Sequence, residues 1–389
     1  MPSTIRHLNY EIRLQIIYTL AKLIKKIEYF LVSIIAPEKL KLSIKNVSLC
    51  VNGDQCNLNC IMCWHTYDRK KKNENYQAFN LSRENLFQII NDEDLKNSII
   101  SLVGGGEPFL YPYIGEFLQE ATKNHRRIMI MTNGTLIQNN QVFWEIAKNA
   151  AITLMFSIDS ATQFTYEKIR LGGNWSILNE NIERFIKLRE TNPLLDLSTS
   201  FVVLKQNLHE LLDFLRLNKK WGSTYIHIHP ALSAGFPEEW RIDPNNPEYQ
   251  RVISQAIEFL QQNGIATDSM NEMLPADYLD NLQVKPSEEV KKRNLYSVTR
   301  LFDGWKIQSR DPRKSCKIHS ESMTVSTTGD IFLCDSAFRI GYHCGNIFRE
   351  NISTLWLSNK WLSVRIFHLL GFPNLHPLCR SCLLVQQKV

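Results

Sequence analysis

Short apolar runs alternate with amphipathic stretches from residue 43 to residue 235. The runs are rich in Ile, Leu, Val and Met, and the stretch over 174–190 has the 3.6-residue period of a helix. This alternation is typical of a parallel sheet built from βα units. We therefore predict an α/β fold for residues 43–235. The predicted strands are 44–51, 99–103, 128–131, 152–158, 197–203 and 225–229.

The first 42 residues carry a different pattern, in which apolar residues recur at helical spacing over 10–36. Arg13, Lys22 and Lys25 interrupt that stretch and are too central for a membrane-spanning helix. We predict an N-terminal amphipathic helical segment over 1–42, in which the helix over 10–36 stops at Pro37 and packs on the following domain. Peripheral contact with a membrane interface is the alternative, because basic residues accompany the apolar face.

The order weakens over 236–315, where prolines and charged stretches punctuate the chain. We predict that this region bridges two domains and contains a helix over 248–263. Beyond it, 323–326 and 329–334 indicate a β-hairpin. The hairpin would belong to a small C-terminal domain over 316–389.

Composition and charge narrow the class of protein. The chain has 389 residues, enough for one large domain and a smaller one, and 44% of them are hydrophobic. The formal net charge of +6 is modest at this length, so we expect no nucleic-acid partner. Nine cysteines without a signal peptide fit a reducing compartment, where metal or catalytic roles are commoner than disulfides. We expect a cytoplasmic protein, membrane-associated if residues 10–36 bind an interface.

Three cysteines, Cys56, Cys60 and Cys63, follow the first predicted strand with the spacing Cys-x3-Cys-x2-Cys. Structural zinc takes four ligands, whereas a 4Fe-4S cluster held by three thiolates keeps one iron open for another ligand. The spacing therefore predicts an open site. The alternatives are a loop in which the cysteines occur by chance and half of a zinc site. The spacing resembles the signature of the radical S-adenosylmethionine (SAM) superfamily. The family usually has an aromatic residue before the third cysteine, where this chain has Met62.

The resemblance implies both a fold and a chemistry. The fold is a partial (β/α)6 TIM-like barrel, in which loops at the carboxyl ends of the strands carry the active site. The open iron of the cluster would bind SAM, and an electron donor such as flavodoxin or ferredoxin would drive its cleavage. The products would be methionine and a 5'-deoxyadenosyl radical, which takes a hydrogen atom from the substrate.

Residues after the second strand resemble part of the SAM-binding site of the family. Gly105, Gly106 and Glu107 lie in the run Gly-Gly-Gly-Glu-Pro and match the motif that meets the SAM amino group. Glycines at such a position let backbone groups approach a ligand closely. The resemblance therefore implies that these three residues bind the cofactor.

Polar residues after the third and fourth strands extend the resemblance. Asn133, Ser157 and Asp159 match positions that reach the ribose or the methionine carboxylate, with ordinary turn and cap chemistry as the alternative. We favour Ser157 over Asp159 as the ligand. Arg170 resembles an arginine that family members with a C-terminal cluster domain place against the SAM carboxylate. A solvated surface arginine is the alternative.

Four later cysteines resemble the SPASM and twitch extensions of the superfamily, which bind auxiliary iron–sulfur clusters. They are Cys316, Cys334, Cys379 and Cys382. Four thiolates can ligate a 4Fe-4S cluster fully, although a structural zinc site is equally consistent with the residues alone. No cysteine follows Cys382, so we predict a single-cluster, twitch-like domain.

Two cysteines remain outside these sets. Cys50 lies in the first predicted strand, where the role of a small buried hydrophobe is favoured. Cys344 lies in the C-terminal domain, near the expected mouth of the active site. Three roles are open to Cys344. It is a spare thiol, a cluster ligand that replaces one of the four cysteines named above, or a catalytic donor of a hydrogen atom to a substrate radical.

The sequence thus predicts a radical SAM oxidoreductase-type enzyme with two 4Fe-4S clusters, one binding SAM and one auxiliary. We expect it to dehydrogenate a carbohydrate-like or other small natural-product substrate, because single-cluster relatives include aminocyclitol dehydrogenases. A radical SAM peptide maturase or epimerase is the first alternative. The alternative from another class is a non-catalytic iron–sulfur or zinc scaffold protein, which the open three-thiol site disfavours.

Overall fold

The computed structural model describes residues 44–53, 55–63, 79–231, 237–243, 245–267, 316, 321–334, 337–338 and 341–380. The predicted segment 1–42, most of the predicted bridge and Cys382 lie outside the described residues.

Nine strands of the described part form one open sheet in the order β7-β6-β5-β4-β3-β2-β1-β8-β9. Every neighbouring pair is parallel except β8 and β9, which are antiparallel. The first six strands coincide with the six predicted ones to within two residues at each end. The strands are β1 Asn46–Leu49, β2 Ile99–Leu102, β3 Arg127–Thr132, β4 Ile152–Ser157, β5 Asp196–Val203, β6 Tyr225–Pro230, β7 Ala266–Thr267, β8 Ser322–Val325 and β9 Ile331–Phe332.

The α-helices of the described part are α1 Arg83–Ile90, α2 Ile114–Lys123, α3 Gln141–Ala147, α4 Gln163–Ile169, α5 Trp175–Thr191, α6 Leu211–Trp221, α7 Pro247–Asn263, α8 Ile352–Trp356, α9 Asn359–Leu369 and α10 Pro377–Arg380. Helices α1–α7 lie between consecutive parallel strands or lead to β7, as right-handed parallel crossovers require, and α8–α10 follow the last strand. Helix α7 confirms the helix predicted over 248–263. The side chain of Asn246 caps its first turn, Pro247 occupies the position where no amide donor is needed, and Gly264 ends it at φ 62°.

Strand residues alternate between the helix-covered core and the opposite face, which we call the lumen face. In β4, Leu154 and Phe156 belong to the main core. The residue between them, Met155, belongs to a separate cluster with Ile99, Met129 and Tyr225. The lumen face is therefore lined by alternate residues of the parallel strands, as expected for the inner wall of a partial barrel.

The predicted hairpin forms, but it also extends the sheet. Strand β8 pairs in parallel with β1, with Val47 opposite Met323, and β9 follows as the edge strand. The C-terminal segment therefore shares its sheet with the barrel. None of the helices in the described part of the chain is long and apolar enough to cross a membrane.

Candidate active site

The loop carrying the first three cysteines is fixed by backbone hydrogen bonds on both sides. The amide of Glu107 donates to the carbonyl of Gln55 at 2.7 Å. On the other side, the amides of Asn59 and Ile61 donate to carbonyls at the end of α4 and just beyond it, both at 2.9 Å. The loop therefore lies across the carboxyl ends of the strands, where an α/β barrel carries its chemistry.

The thiols of Cys56, Cys60 and Cys63 lie close enough to influence one another electrostatically. Burial raises the pKa of Cys60 to about 11, and the thiols of Cys63 and Cys56 add to that rise. Burial also raises the pKa of Cys56. Cations and amides oppose these shifts: the guanidinium of Arg170 lies 3.8 Å from the Cys60 sulfur, and the amide nitrogen of Asn133 lies 3.9 Å from the Cys56 sulfur.

This donor set fits the cofactor that the sequence predicts. The three thiols lie on one loop and can supply the ligands of a cluster with one open iron, although no group of three donors in the described residues is placed to hold a single metal ion. A cation and an amide N–H beside the sulfurs would stabilise thiolates, which are the ligating form of cysteine. The structure thus brings together the three cysteines and two of the residues predicted around them.

Arg170 and Asp159 form a buried ion pair instead of two separate ligand contacts. Their side chains are 2.5 Å apart, and Arg170 is 8% exposed and Asp159 is 0% exposed. Asp159 also accepts a hydrogen bond from the amide of Val202, and Arg170 donates to the carbonyl of Ile158. The alternative of a solvated surface arginine is therefore wrong. Asp159 is engaged in this ion pair, and the preference for Ser157 over Asp159 as the SAM ligand stays a prediction.

The glycine turn is shaped by the cysteine loop. Gly106 has φ +84°, and a Cβ added there would clash with the carbonyl oxygen of Gln55. Gly104 has φ +110°, and its Cβ would lie 2.5 Å from the sulfur of Cys50. The glycines, with Gly105 between them, therefore let the turn approach the segment that leads into Cys56.

Glu107 joins the ends of two strands. Its buried carboxylate accepts hydrogen bonds from the hydroxyl of Thr132 and from the amides of Asn133 and Phe109. Burial raises its pKa, and these hydrogen bonds oppose the rise. In this structure Glu107 positions the end of β3, from which Asn133 reaches the cysteine loop through Asn57.

Ser157 ends β4 on the lumen face, and its register leads to two histidines that the sequence reasoning missed. Ser157 pairs with Ser200 of β5, which pairs with His227 of β6. The rings of His227 and His229 stack 6.2 Å apart with planes parallel to within 4°. His227 also lies within electrostatic reach of Asp159. The signal in the sequence was the alternation His-x-His at the end of a strand.

Two of the four predicted auxiliary-cluster cysteines, Cys334 and Cys379, lie next to the hairpin and in α10. Cys334 follows β9 and accepts a hydrogen bond from the amide of Ala337 at 3.4 Å. Cys379 lies in α10, with its sulfur 3.3 Å from Nε2 of His368. Cys316 is the one residue between 268 and 320 that the structure describes. Cys344 is 5% exposed in the main core, and burial raises its pKa to about 12.

The three thiols therefore lie on the loop after the first strand of an open, mostly parallel sheet, at the edge where barrels of this kind carry their active sites. Residues 53–217 match the model of the radical SAM superfamily, and residues 316–383 match that of an iron–sulfur cluster-binding domain known as SPASM. Residues 53–217 therefore form a radical SAM domain, and a SPASM-type domain follows it. These matches confirm the predicted cofactors, SAM and two iron–sulfur clusters.

Two curated relatives span most of the chain. The mycofactocin maturase MftC of Mycobacterium ulcerans is 27% identical over 327 residues, which cover 84% of this chain and 77% of MftC. The AdoMet-dependent heme synthase of Methanosarcina barkeri is 25% identical over 305 residues, which cover 77% of this chain and 79% of the synthase. The relatives therefore resemble both domains of the chain.

Solved structures support the fold. Streptococcus suis SuiB bound to S-adenosylmethionine superposes with a TM-score of 0.58 at 15% identity, covering 84% of this chain and 68% of SuiB. Native anSMEcpe with bound AdoMet gives a TM-score of 0.58 at 18% identity, covering 87% and 86%. The predicted partial barrel is confirmed.

Proposed function

We propose that this protein is a radical SAM peptide maturase. The observation that carries the proposal is the similarity to mycofactocin maturase over 84% of the chain, together with the three-thiol loop. The structure of SuiB with its precursor peptide SuiA shows that a protein of this fold accommodates a peptide. Dehydrogenation of a small natural product, the first expectation from the sequence, has less support than this alternative.

In the proposed site, Cys56, Cys60 and Cys63 hold the SAM-binding cluster. When bound, that cluster and SAM supply the 5'-deoxyadenosyl radical. Arg170 stabilises the thiolate of Cys60 and is itself fixed by Asp159. Gly105, Gly106 and Ser157 lie at the same carboxyl edge, where we propose that they contact SAM.

The lumen face supplies the substrate space in this proposal. Met155 and Tyr225 form the apolar base of this space and exclude water from it. His227 and His229 lie on the same face, nearer the carboxyl edge. Imidazoles there can hydrogen-bond a peptide backbone or side chain. We propose that this pair orients the peptide relative to the radical.

The auxiliary site would be built by Cys316, Cys334, Cys379 and Cys382. A cluster with four thiolate ligands has no open iron, so its part is to exchange electrons or to shape the substrate space. An electron donor such as flavodoxin or ferredoxin would reduce the protein.

The test uses anaerobically reconstituted full-length protein with SAM, a chemical reductant and short peptides encoded beside its gene. We expect 5'-deoxyadenosine and a peptide whose mass changes. The variant Cys60→Ala should lose both products, whereas Cys50→Ala, a buried cysteine outside the trio, should keep them.

His227→Phe and His229→Phe should still form 5'-deoxyadenosine but modify the peptide much less. If peptides stay unchanged while a small carbohydrate-like substrate is consumed, the maturase proposal fails and the dehydrogenase alternative takes its place. If no 5'-deoxyadenosine forms under any condition, a non-catalytic scaffold is favoured.

A further inference from the structure

The last turn of α9 brings an imidazole against one cysteine of the C-terminal pair. Nε2 of His368 lies 3.3 Å from the sulfur of Cys379, a hydrogen-bond distance for sulfur. Both side chains are partly buried, and Cys379 packs against the main core. Helix α9 also contacts the short turn before α10, where the hydroxyl of Ser363 lies 3.1 Å from Nε2 of His376. This contact helps to fix His368 relative to Cys379.

The chemistry of the two groups fixes the direction of the hydrogen bond. A cysteine that ligates iron is a thiolate and has no proton to donate. A neutral imidazole carries one N–H, so the proton must be on Nε2 if the contact is a hydrogen bond to a thiolate. The bond would then be charge-assisted, and the apolar surroundings would strengthen it.

We propose that His368 donates an Nε2–H···Sγ hydrogen bond to Cys379 and thereby raises the reduction potential of the auxiliary cluster. Hydrogen bonds to cluster sulfurs withdraw electron density and stabilise the reduced state. The inference rests on the proposed function in one respect, the assignment of Cys379 as a cluster ligand. His368 acts through Cys379 and is therefore a positioning residue.

The experiment isolates the auxiliary cluster. In the full-length chain, Cys56, Cys60 and Cys63 are changed to Ala together, which leaves the auxiliary site as the place for iron. On that background the variants are His368→Phe, which removes the donor, and His368→Gln, which offers an amide N–H from a similar position. His343→Phe is the matched control, because this histidine lies in the same domain with its ring against Phe332.

Iron content and the midpoint potential are measured for each protein, the latter by redox titration followed by electron paramagnetic resonance. We expect all of them to hold the same iron. His368→Phe should shift the potential to more negative values, while His368→Gln and His343→Phe should stay near the parent.

Other outcomes overturn the proposal in distinguishable ways. An iron-loaded His368→Phe protein with the potential of the parent would overturn the hydrogen bond alone. Loss of iron in both His368 variants would assign the residue a purely structural role. A parent that holds no iron would overturn the ligand assignment of the proposed function, and the hydrogen bond with it.

Discussion

Arg170 links the cysteine loop to the barrel through one side chain. It contacts the sulfur of Cys60, the carboxylate of Asp159 and a strand-end carbonyl, all within a buried environment. A buried charge without its partner is expensive, so each member of the pair depends on the other. The pair therefore fixes the position of the loop as well as its charge.

Arg170→Met should lower the free energy of unfolding by about 3–5 kcal/mol, because Asp159 would remain as an uncompensated buried charge. The double variant Asp159→Asn/Arg170→Met should recover part of the loss. Urea unfolding followed by circular dichroism measures both. Arg216→Met is the control, because Arg216 pairs with Asp213 at the same 2.5 Å but on the surface. Equal losses for the two Met variants would contradict a buried, energetically coupled pair.

Cys344 provides a second test at the scale of one residue. Its burial in the core favours the spare structural thiol among the three roles predicted for it. Cys344→Ala should therefore keep peptide-modifying activity. In heavy water, deuterium incorporated at the modified carbon by the parent and lost in Cys344→Ala would instead identify the thiol as a hydrogen-atom donor and the enzyme as an epimerase.

At the scale of elements, Glu210 holds the start of α4 and so the helix that ends beside Arg170. Its buried carboxylate accepts hydrogen bonds from the amides of Ala161 and Thr162 and from the hydroxyls of Thr162 and Thr165. Burial would raise its pKa, but these hydrogen bonds outweigh burial and lower the pKa below its usual value. The carboxylate therefore stabilises the helix start in its ionised form.

Glu210→Gln should cost about 2 kcal/mol of unfolding free energy at neutral pH, because an amide cannot accept all of these bonds. The folded-state pKa is depressed, so the stabilisation is complete above the unfolded pKa of about 4.3 and is lost as pH falls through the folded value. The parent and the variant should converge in acid. Unfolding curves between neutral pH and acid measure this, with exposed Glu190→Gln as control. A difference that does not change with pH would contradict the role of the ionised carboxylate.

The sequence predicted the elements well where the signal was local. Parallel strands covered on one face by helices and lining a lumen on the other appear as apolar runs, so β1–β6 could be found from the sequence alone. The three-thiol spacing was equally local. The ion pair of Arg170 with Asp159 and the pairing of β8 with β1 depend on tertiary contacts that no local pattern encodes. The helix and the membrane contact predicted for residues 10–36 stay predictions.

At the scale of the whole molecule, one sheet joins both cluster sites. Strand β1 lies between β2 and β8, and the loop that leaves β1 carries the first three cysteines. The hairpin β8–β9 leads directly to Cys334 on the other side of β1. We therefore expect each site to bind iron independently of the other, while both sites depend on the stability of the same sheet.

Iron counting separates the two sites. The reconstituted protein should hold about eight irons as two 4Fe-4S clusters, and the variant with Ala at Cys56, Cys60 and Cys63 should hold about four and form no 5'-deoxyadenosine. A second variant, Cys334→Ala/Cys379→Ala, should also lose about four irons but still cleave SAM, because its radical-generating loop is intact. Metal analysis and chromatographic detection of 5'-deoxyadenosine measure both outcomes. SAM cleavage that survives in the first variant would refute the assignment of the three-thiol loop, and zinc in place of iron at the second site would restore the structural-zinc alternative there.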